Sequence, residues 1–208
     1  MRQGAANYIL EADVVSFFDS LDRKRLAEML RERIADESLM RLIGKCLHVG
    51  VLDGEEYSEP NEGTVQGSGL SPLLGNVYLH HVLDRWFERE VKPELRGQAV
   101  LLRFCDDFVI TFEYAEDAEE VMAALQERMK AYNLKLHPEK TRLFEFRPPQ
   151  SGDSGKGTAV FDFLGFSMYW QRQRRGAWGM RCKTRRASLR RAIVAVIDTC
   201  RSRTSTPR

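Results

Sequence analysis

The sequence predicts an α+β chain: a ferredoxin-like, split βαβ antiparallel sheet packed with helices, plus a basic C-terminal hairpin and helix. Three observations carry that prediction. Runs rich in branched and aromatic residues read as strands: YILEADVVSFF at Tyr8 to Phe18, LLRF and FVITF within Leu101 to Phe112, and LFEF at 143–146. Between them, apolar residues recur every fourth position, Leu26, Leu30 and Ile34 in one stretch and Val121, Leu125 and Met129 in another, which marks helices with one buried face. The order strand, helices, strand, strand, helix, strand then sets the end of the first strand beside the tip of a central hairpin.

Each element has its own signal. The first strand, Tyr8 to Phe18, delivers Asp13 at its C-terminal end, an acid that is costly in so apolar a run unless paired or metal-bound. Asp22 caps a helix through DRKRLAEMLRERIADES, and SLMRLIGKCLHVG is a second helix ending near Gly50. Residues 51–69 change to Gly, Pro and acids and read as a loop or irregular hairpin. Ser71-Pro72 then opens a helix, Ser as cap and Pro at the first helical position, with Leu73, Val77, Leu83 and Phe87 inward and a stop before Pro93.

In LLRFCDDFVITF, the short residues Cys105, Asp106 and Asp107 separate two apolar runs, the pattern of a tight hairpin with adjacent carboxylates at its tip. An ordinary polar turn is the plain reading of such a tip taken alone. A helix over AEDAEEVMAALQERMKAYN follows, then a turn at His137-Pro138 into the last strand of the sheet. PPQSGDSGKGTA is a flexible linker by composition. FDFLGFSMYW and GAWGMRC form a second hairpin, and TRRASLRRAIVAVIDTCR a basic amphipathic helix. The expected organisation is a core over 1–147, a linker and hairpin over 148–183, and a basic helix over 184–208.

With 43% hydrophobic and 30% charged residues in 208, the composition is that of a globular chain. No apolar run approaches the ~20 residues of a membrane span, and MRQGAANYIL lacks the plan of a signal peptide, so no membrane partner and a cytoplasmic location are expected. The four cysteines form no C-x-x-C pair, which argues against a zinc site and a disulfide framework. The net charge of +2 hides an asymmetry: residues 165–208 hold 12 Lys/Arg and one acid, Asp198, whereas residues 1–164 hold 20 Lys/Arg and 29 acids. A basic arm on an acidic body seeks phosphates.

Asp13 brought beside Asp106 and Asp107 makes a cluster of carboxylates that would repel unless cations joined them. Mg²⁺ with oxygen ligands is the hard-cation solution, and two such ions suit in-line nucleotidyl transfer.

Several stretches together carry a family resemblance. Asp13-Val14-Val15-Ser16-Phe17-Phe18-Asp19 resembles the first-aspartate motif of reverse transcriptases, GTVQGSGLSPLLGNVYLHHVLD their QGxxxSP motif, and FCDDF their YADDF box. HPEKT and FDFLGF resemble two later palm motifs of the group II intron reverse transcriptase/maturase branch. The retained Ser71-Pro72 and the absence of a VTG signature separate the chain from the diversity-generating and retron branches.

The resemblance implies a reverse transcriptase palm: an RNA-directed DNA polymerase, a nucleotidyltransferase using two Mg²⁺ ions, an RNA template, a DNA or RNA primer and dNTPs, with structured intron RNA as a further partner. Asp13, Asp106 and Asp107 are implied as the catalytic, metal-binding triad. Phe18 is implied as the aromatic gate under the incoming sugar, and Gln66 and Gly67 as lining the nucleotide and template pocket. Lys140 would lie near the primer, Phe163, Leu164 and Gly165 would form the primer grip, and Arg185, Arg186 and Arg190 would meet nucleic-acid phosphates.

Phe104-Cys105 stands where the family has Tyr-Ala, and Val65 where it has Pro; neither change removes a metal ligand. The chain starts about a dozen residues before Asp13, where the resemblance leads one to expect fingers, so a fragment with impaired activity is the expectation. The alternative is a non-catalytic RNA-binding module on the same scaffold, which would stack bases on sheet aromatics rather than present aspartates.

Overall fold

In chain order the elements are β1 (Tyr8–Ala12), α1 (Arg23–Arg31), α2 (Glu37–Leu47), β2 (Val51–Asp53), β3 (Glu56–Ser58), α3 (Ser71–Leu79), β4 (Ala99–Phe104), β5 (Asp107–Phe112), α4 (Ala115–Ala131), β6 (Arg142–Glu145), β7 (Phe161–Phe163), β8 (Phe166–Arg172), β9 (Trp178–Thr184) and α5 (Arg186–Thr204). The computed structural model describes residues 6–47, 51–53, 56–58, 63, 69–149, 160–174 and 176–204. Two compact units divide the chain, Met1–Glu145 and Phe146–Arg208.

The first unit is built on an antiparallel sheet in the order β4-β5-β1-β6, the split βαβ arrangement, with β1 in the interior. Alternation divides its residues between two faces. Leu10, Ala12 and Val14 join Phe108, Ile110 and Phe112 in the core with α1, α2, α3 and α4. On α4, Val121, Leu125 and Met129 are all buried, as their fourfold spacing predicts. In the register Glu11↔Val109 and Ala12↔Phe108, facing residues share a side, so Ile9, Glu11 and Asp13 lie on the face away from these helices.

The structure corrects several boundaries. The first strand stops at Ala12 rather than Phe18, because Ser16 takes a left-handed backbone (φ 46°) and Phe17–Asp19 wind into a 3₁₀ turn that buries Phe17. Asp22 caps α1 as expected, but the helix ends at Arg31 rather than running through Ser38. Asp36 starts α2, its Oδ1 accepting from Ser38 N at 2.7 Å and Leu39 N at 3.2 Å. The cap of α3 is Leu70, one residue earlier than expected, and Ser71 is buried within its first turn.

Leu73, expected inward, is 61% exposed, and Val77 is only partly buried. The buried row runs instead through Ser71, Gly75, Leu79, Leu83 and Phe87, flanked by Leu74, Tyr78 and Val82. Small residues occupy that row where the helix meets rings at close range: a Cβ on Gly75 would sit 2.8 Å from Phe17 Cε1 and 3.1 Å from Phe18 Cε1. A reading based on apolarity passes over Ser and Gly. Beyond Leu79 the helix continues through two π turns, His80–Asp84 and Phe87–Val91, and a 3₁₀ turn at Lys92–Glu94, so its α-helical course ends before Pro93.

In the second unit, β7, β8 and β9 make a three-stranded antiparallel sheet, and FDFLGF forms a hairpin of its own in addition to the one anticipated between FDFLGFSMYW and GAWGMRC. Leu164 (φ 51°) and Gly165 (φ 78°) supply its two left-handed turn residues. Phe146 packs edge-on against Phe161, with ring centroids 5.0 Å apart, and lies 5.6 Å from the Trp170 ring. Helix α5 is exposed from Arg186 to Arg201 apart from Ser188, which is half-buried. Gln66, Gly67 and 150–159 lie outside the described residues.

On the α3 continuation, burial lowers the pKa of His81 below 6.5 despite the opposing charge of Glu32, and Arg85 Nη1, which lies 2.8 Å from Nδ1, also disfavours a proton there. The fold therefore favours the neutral imidazole. Its contribution to stability is complete above pH 6.5 and is lost as pH falls through that value toward the lower folded pKa. Urea midpoints taken from pH 7.5 down to 5.5 check this: the decline is expected to be shallower in His81→Gln than in the parent, and an identical decline excludes the residue.

Candidate active site

Asp13 leaves β1 one step beyond the pair Ala12↔Phe108, and the same register carries it abreast of Asp107, the first residue of β5. Cys105 and Asp106 form the two-residue loop between β4 and β5, closed by the pair Phe104↔Asp107. Cys105 takes φ 55°, a left-handed conformation that costs a non-glycine residue on the order of 1–3 kcal/mol and persists only where surroundings hold it. The loop is short enough that Asp106 and Asp107 must stay together, and the sheet brings them to Asp13 from 93 positions away in sequence.

The three carboxylates are within electrostatic range of one another. The Asp107 carboxyl is pushed above the ordinary aspartate range by partial burial, then by the charges of Asp106 and Asp13, with Lys140 opposing. Lys140 lies in the turn before β6, and its Nζ donates to Asp13 Oδ2 at 2.5 Å. That bond, and the charges of Asp13, Asp107 and Asp106, hold the ammonium above its usual pKa. Two backbone bonds seat this turn against Asp13: Val15 N donates to Lys135 O and His137 N to Asp13 O, each at 2.8 Å. The lysine side chain is 62% exposed, so the pair contributes little to stability.

Phe18 sits in the 3₁₀ turn after Asp13, partly buried, its ring centroid 5.1 Å from that of Phe17 and its edge near Gly75 of α3. Asp13, Phe18, Asp106, Asp107 and Lys140 thus belong to one unit and are organised around the end of β1. Phe163, Leu164, Gly165, Arg185, Arg186 and Arg190 belong to the other. Within it, Arg185 N donates to Gly165 O at 2.8 Å and Arg185 Nε pairs with Asp162 Oδ2 at 2.9 Å, while Arg186 and Arg190 are exposed on α5.

Among the described residues, no group of three or more His, Cys, Asp or Glu is gathered closely enough to hold a metal unaided. Sequence reading also missed a group beneath the tip. Arg103 occupies a core-facing position of β4, opposite Phe108, and binds Asp84, Asn76 and the Cys105 carbonyl. An arginine two residues from Leu101 on the inward side of an apolar strand was the available signal, because such a charge needs a buried partner.

A match to the family described as "Reverse transcriptase (RNA-dependent DNA polymerase)" extends over residues 1–168. The chain belongs to this family. Its curated relatives include the group II intron-encoded protein LtrA of Lactococcus lactis, 36% identical over 104 residues, which cover 45% of this chain and 17% of LtrA. YkfC of Escherichia coli K12 is 28% identical over 199 residues, 81% of this chain and 49% of that protein. This reverse transcriptase domain therefore spans half or less of the length of these relatives.

Among solved structures, an apo telomerase from Candida tropicalis superposes with a TM-score of 0.60 at 18% identity, covering 78% of this chain and 34% of that one. The fold is that of a reverse transcriptase palm. No helix among the described residues is long and apolar enough to cross a membrane.

The raised pKa of Asp107 means that the fold disfavours its charged form at neutral pH. Asp107→Asn is therefore expected to raise the melting temperature in metal-free buffer at pH 7.5. A melting temperature equal to or below that of the parent contradicts the electrostatic account.

Proposed function

We propose that the chain is the catalytic palm of a group II intron-type RNA-directed DNA polymerase, transferring deoxynucleotides to a primer 3′-hydroxyl on an RNA template. The convergence of Asp13, Asp106 and Asp107 at the open end of β1 and β5, within a family-matched palm, carries this reading. The donor set consists of hard, ionisable oxygens in mutual electrostatic range, which suits Mg²⁺. That ion is commonly bound through one or two carboxylates plus substrate phosphates and retained waters rather than a closed protein cage. Asp13 and Asp106 would hold two ions, with Asp107 completing the acidic face. Bound Mg²⁺ would supply Lewis acidity at the attacking hydroxyl and charge neutralisation at the departing pyrophosphate.

The chain's own groups orient the reactants. Asp13 is aimed by Lys140, whose long exposed stem lets the ammonium reach primer or nucleotide phosphate. The Phe18 ring, braced by Phe17 and α3, would lie under the sugar and leave no room for a 2′-hydroxyl. Gln66 and Gly67 would line the template and nucleotide pocket. In the second unit, Phe163, Leu164 and Gly165 would contact the primer, and Arg185, Arg186 and Arg190 would meet phosphates of template or structured intron RNA without reading sequence. The RNA bound in a solved telomerase complex from Candida tropicalis is in line with an RNA partner. That basic, exposed helix also supports a second reading, RNA binding without catalysis.

Single-turnover extension of a primer annealed to RNA tests the assignment. Incorporation is expected to require Mg²⁺ and to fall on the order of 100-fold or more in Asp106→Asn. Undiminished incorporation by that variant overturns the metal role; salt-sensitive RNA binding with no aspartate-dependent incorporation favours the second reading. In the same assay, Phe18→Ala is expected to raise incorporation of ribonucleotides relative to deoxynucleotides, and an unchanged ratio removes Phe18 from the sugar pocket.

A further inference from the structure

The left-handed backbone at Cys105 raises a physical question: what holds the acidic loop in that shape? The strand pairing ends at Phe104↔Asp107, so the loop's own conformation is not set by the ladder. On the helical side of the sheet, Arg103 reaches the loop. Its Nη1 donates to Cys105 O at 2.9 Å, directly bracing the strained residue. The same Nη1 donates to Asn76 Oδ1 at 2.8 Å, while Nε and Nη2 donate to the two carboxylate oxygens of Asp84 at 2.7 and 2.6 Å.

Both acceptor side chains stand on the long helix, Asn76 in α3 and Asp84 in its π continuation. Asn76 is itself tied down by donating from Nδ2 to Pro72 O at 3.0 Å, and that nitrogen lies 4.0 Å from Cys105 Sγ. His80 Nδ1 approaches Asp84 Oδ2 at 3.4 Å. The guanidinium, 12% exposed, thus links one rigid element to one carbonyl of the loop.

We propose that Arg103, held by Asp84 and Asn76, is a positioning residue that maintains the Cys105 turn and through it the aim of Asp106 and Asp107. A purely structural strand-to-helix ion pair would need only the two bonds to Asp84. The bond to Cys105 O adds a contact to the loop, and the planar fork permits it together with the bidentate pair. Lysine offers a compact ammonium that cannot reproduce this set, so Arg103→Lys is not conservative here. Asp84→Asn leaves the arginine present and removes the charge that orients it.

Cys105 supplies its own probe. The rate of alkylation by iodoacetamide, followed site by site by mass spectrometry at fixed pH on the folded full chain, reports the order of the loop. The exposed thiols of Cys46, Cys182 and Cys200 serve as internal references. Arg103→Lys is expected to accelerate labelling of Cys105 about tenfold relative to those references. Asp84→Asn is expected to act in the same direction, and the double variant to go little further, because both remove one device. Melting temperatures measured in parallel separate loop release from general loosening. Unchanged Cys105 labelling in both variants overturns the proposal, as does acceleration that merely follows a falling melting temperature.

The consequence for Asp106 rests on the metal reading above and is measured separately, by Mn²⁺ titration followed by electron paramagnetic resonance. Affinity is expected to fall about tenfold in Arg103→Lys. Mn²⁺ binding that is absent in the parent, or unaffected by Asp106→Asn, overturns the metal reading instead, and the labelling result still decides the role of Arg103.

Discussion

The antiparallel pairing of β1 with β5 is the constraint on which the rest of the site depends. It places a strand from the start of the chain in the interior of the sheet, with β5 on one side and β6 on the other. Because facing residues in such a ladder share a side, one register decides two things together. It buries Leu10, Ala12, Phe108 and Ile110 against the helices, and it leaves Asp13 and Asp107 on the opposite side at the open end. A slip of one residue would turn the apolar set outward and bury the acids. The apolar pattern thus protects the position of the carboxylates, although it makes no contact with whatever they bind.

The second support is the long helix that begins at Ser71. Gly75 admits the Phe17 ring closer than a Cβ would take and the Phe18 ring at a tight distance, and Asn76 and Asp84 grip Arg103 below the acidic loop. The aromatic turn after Asp13 and the loop carrying Asp106 therefore share one rigid reference, which explains how parts supplied by distant stretches keep a common geometry. Lys140 completes the cluster from the turn before β6, balancing part of a negative charge that would otherwise oppose folding.

Much of this was legible before folding. The strand and helix order, the hairpin with its carboxylate tip, the Asp22 cap and the buried row Val121, Leu125 and Met129 follow from local composition and spacing. Other features resist that reading for identifiable reasons. The inward face of α3 is marked by Ser71 and Gly75, which carry no apolar signal. The first strand ends early because Ser16 turns left-handed, and nothing in a run as apolar as VVSFF announces the turn. The break between α1 and α2 depends on the Asp36 cap inside what reads as one continuous amphipathic stretch.

By itself the sequence determined which residue types were available and their family: an aspartate at the end of the first strand, two more at a hairpin tip, and the motifs that name a reverse transcriptase palm. Local preferences and short-range spacing are sufficient for the elements and their acids, while the family rests on the resemblance of whole motifs. Only the tertiary structure decided which groups meet. Lys140 finds Asp13 across 127 positions, and Arg103 finds Asp84 and Asn76 across 19 and 27. Such contacts are absent from any local pattern, because sheet register and helix packing, rather than sequence neighbourhood, bring the charges together.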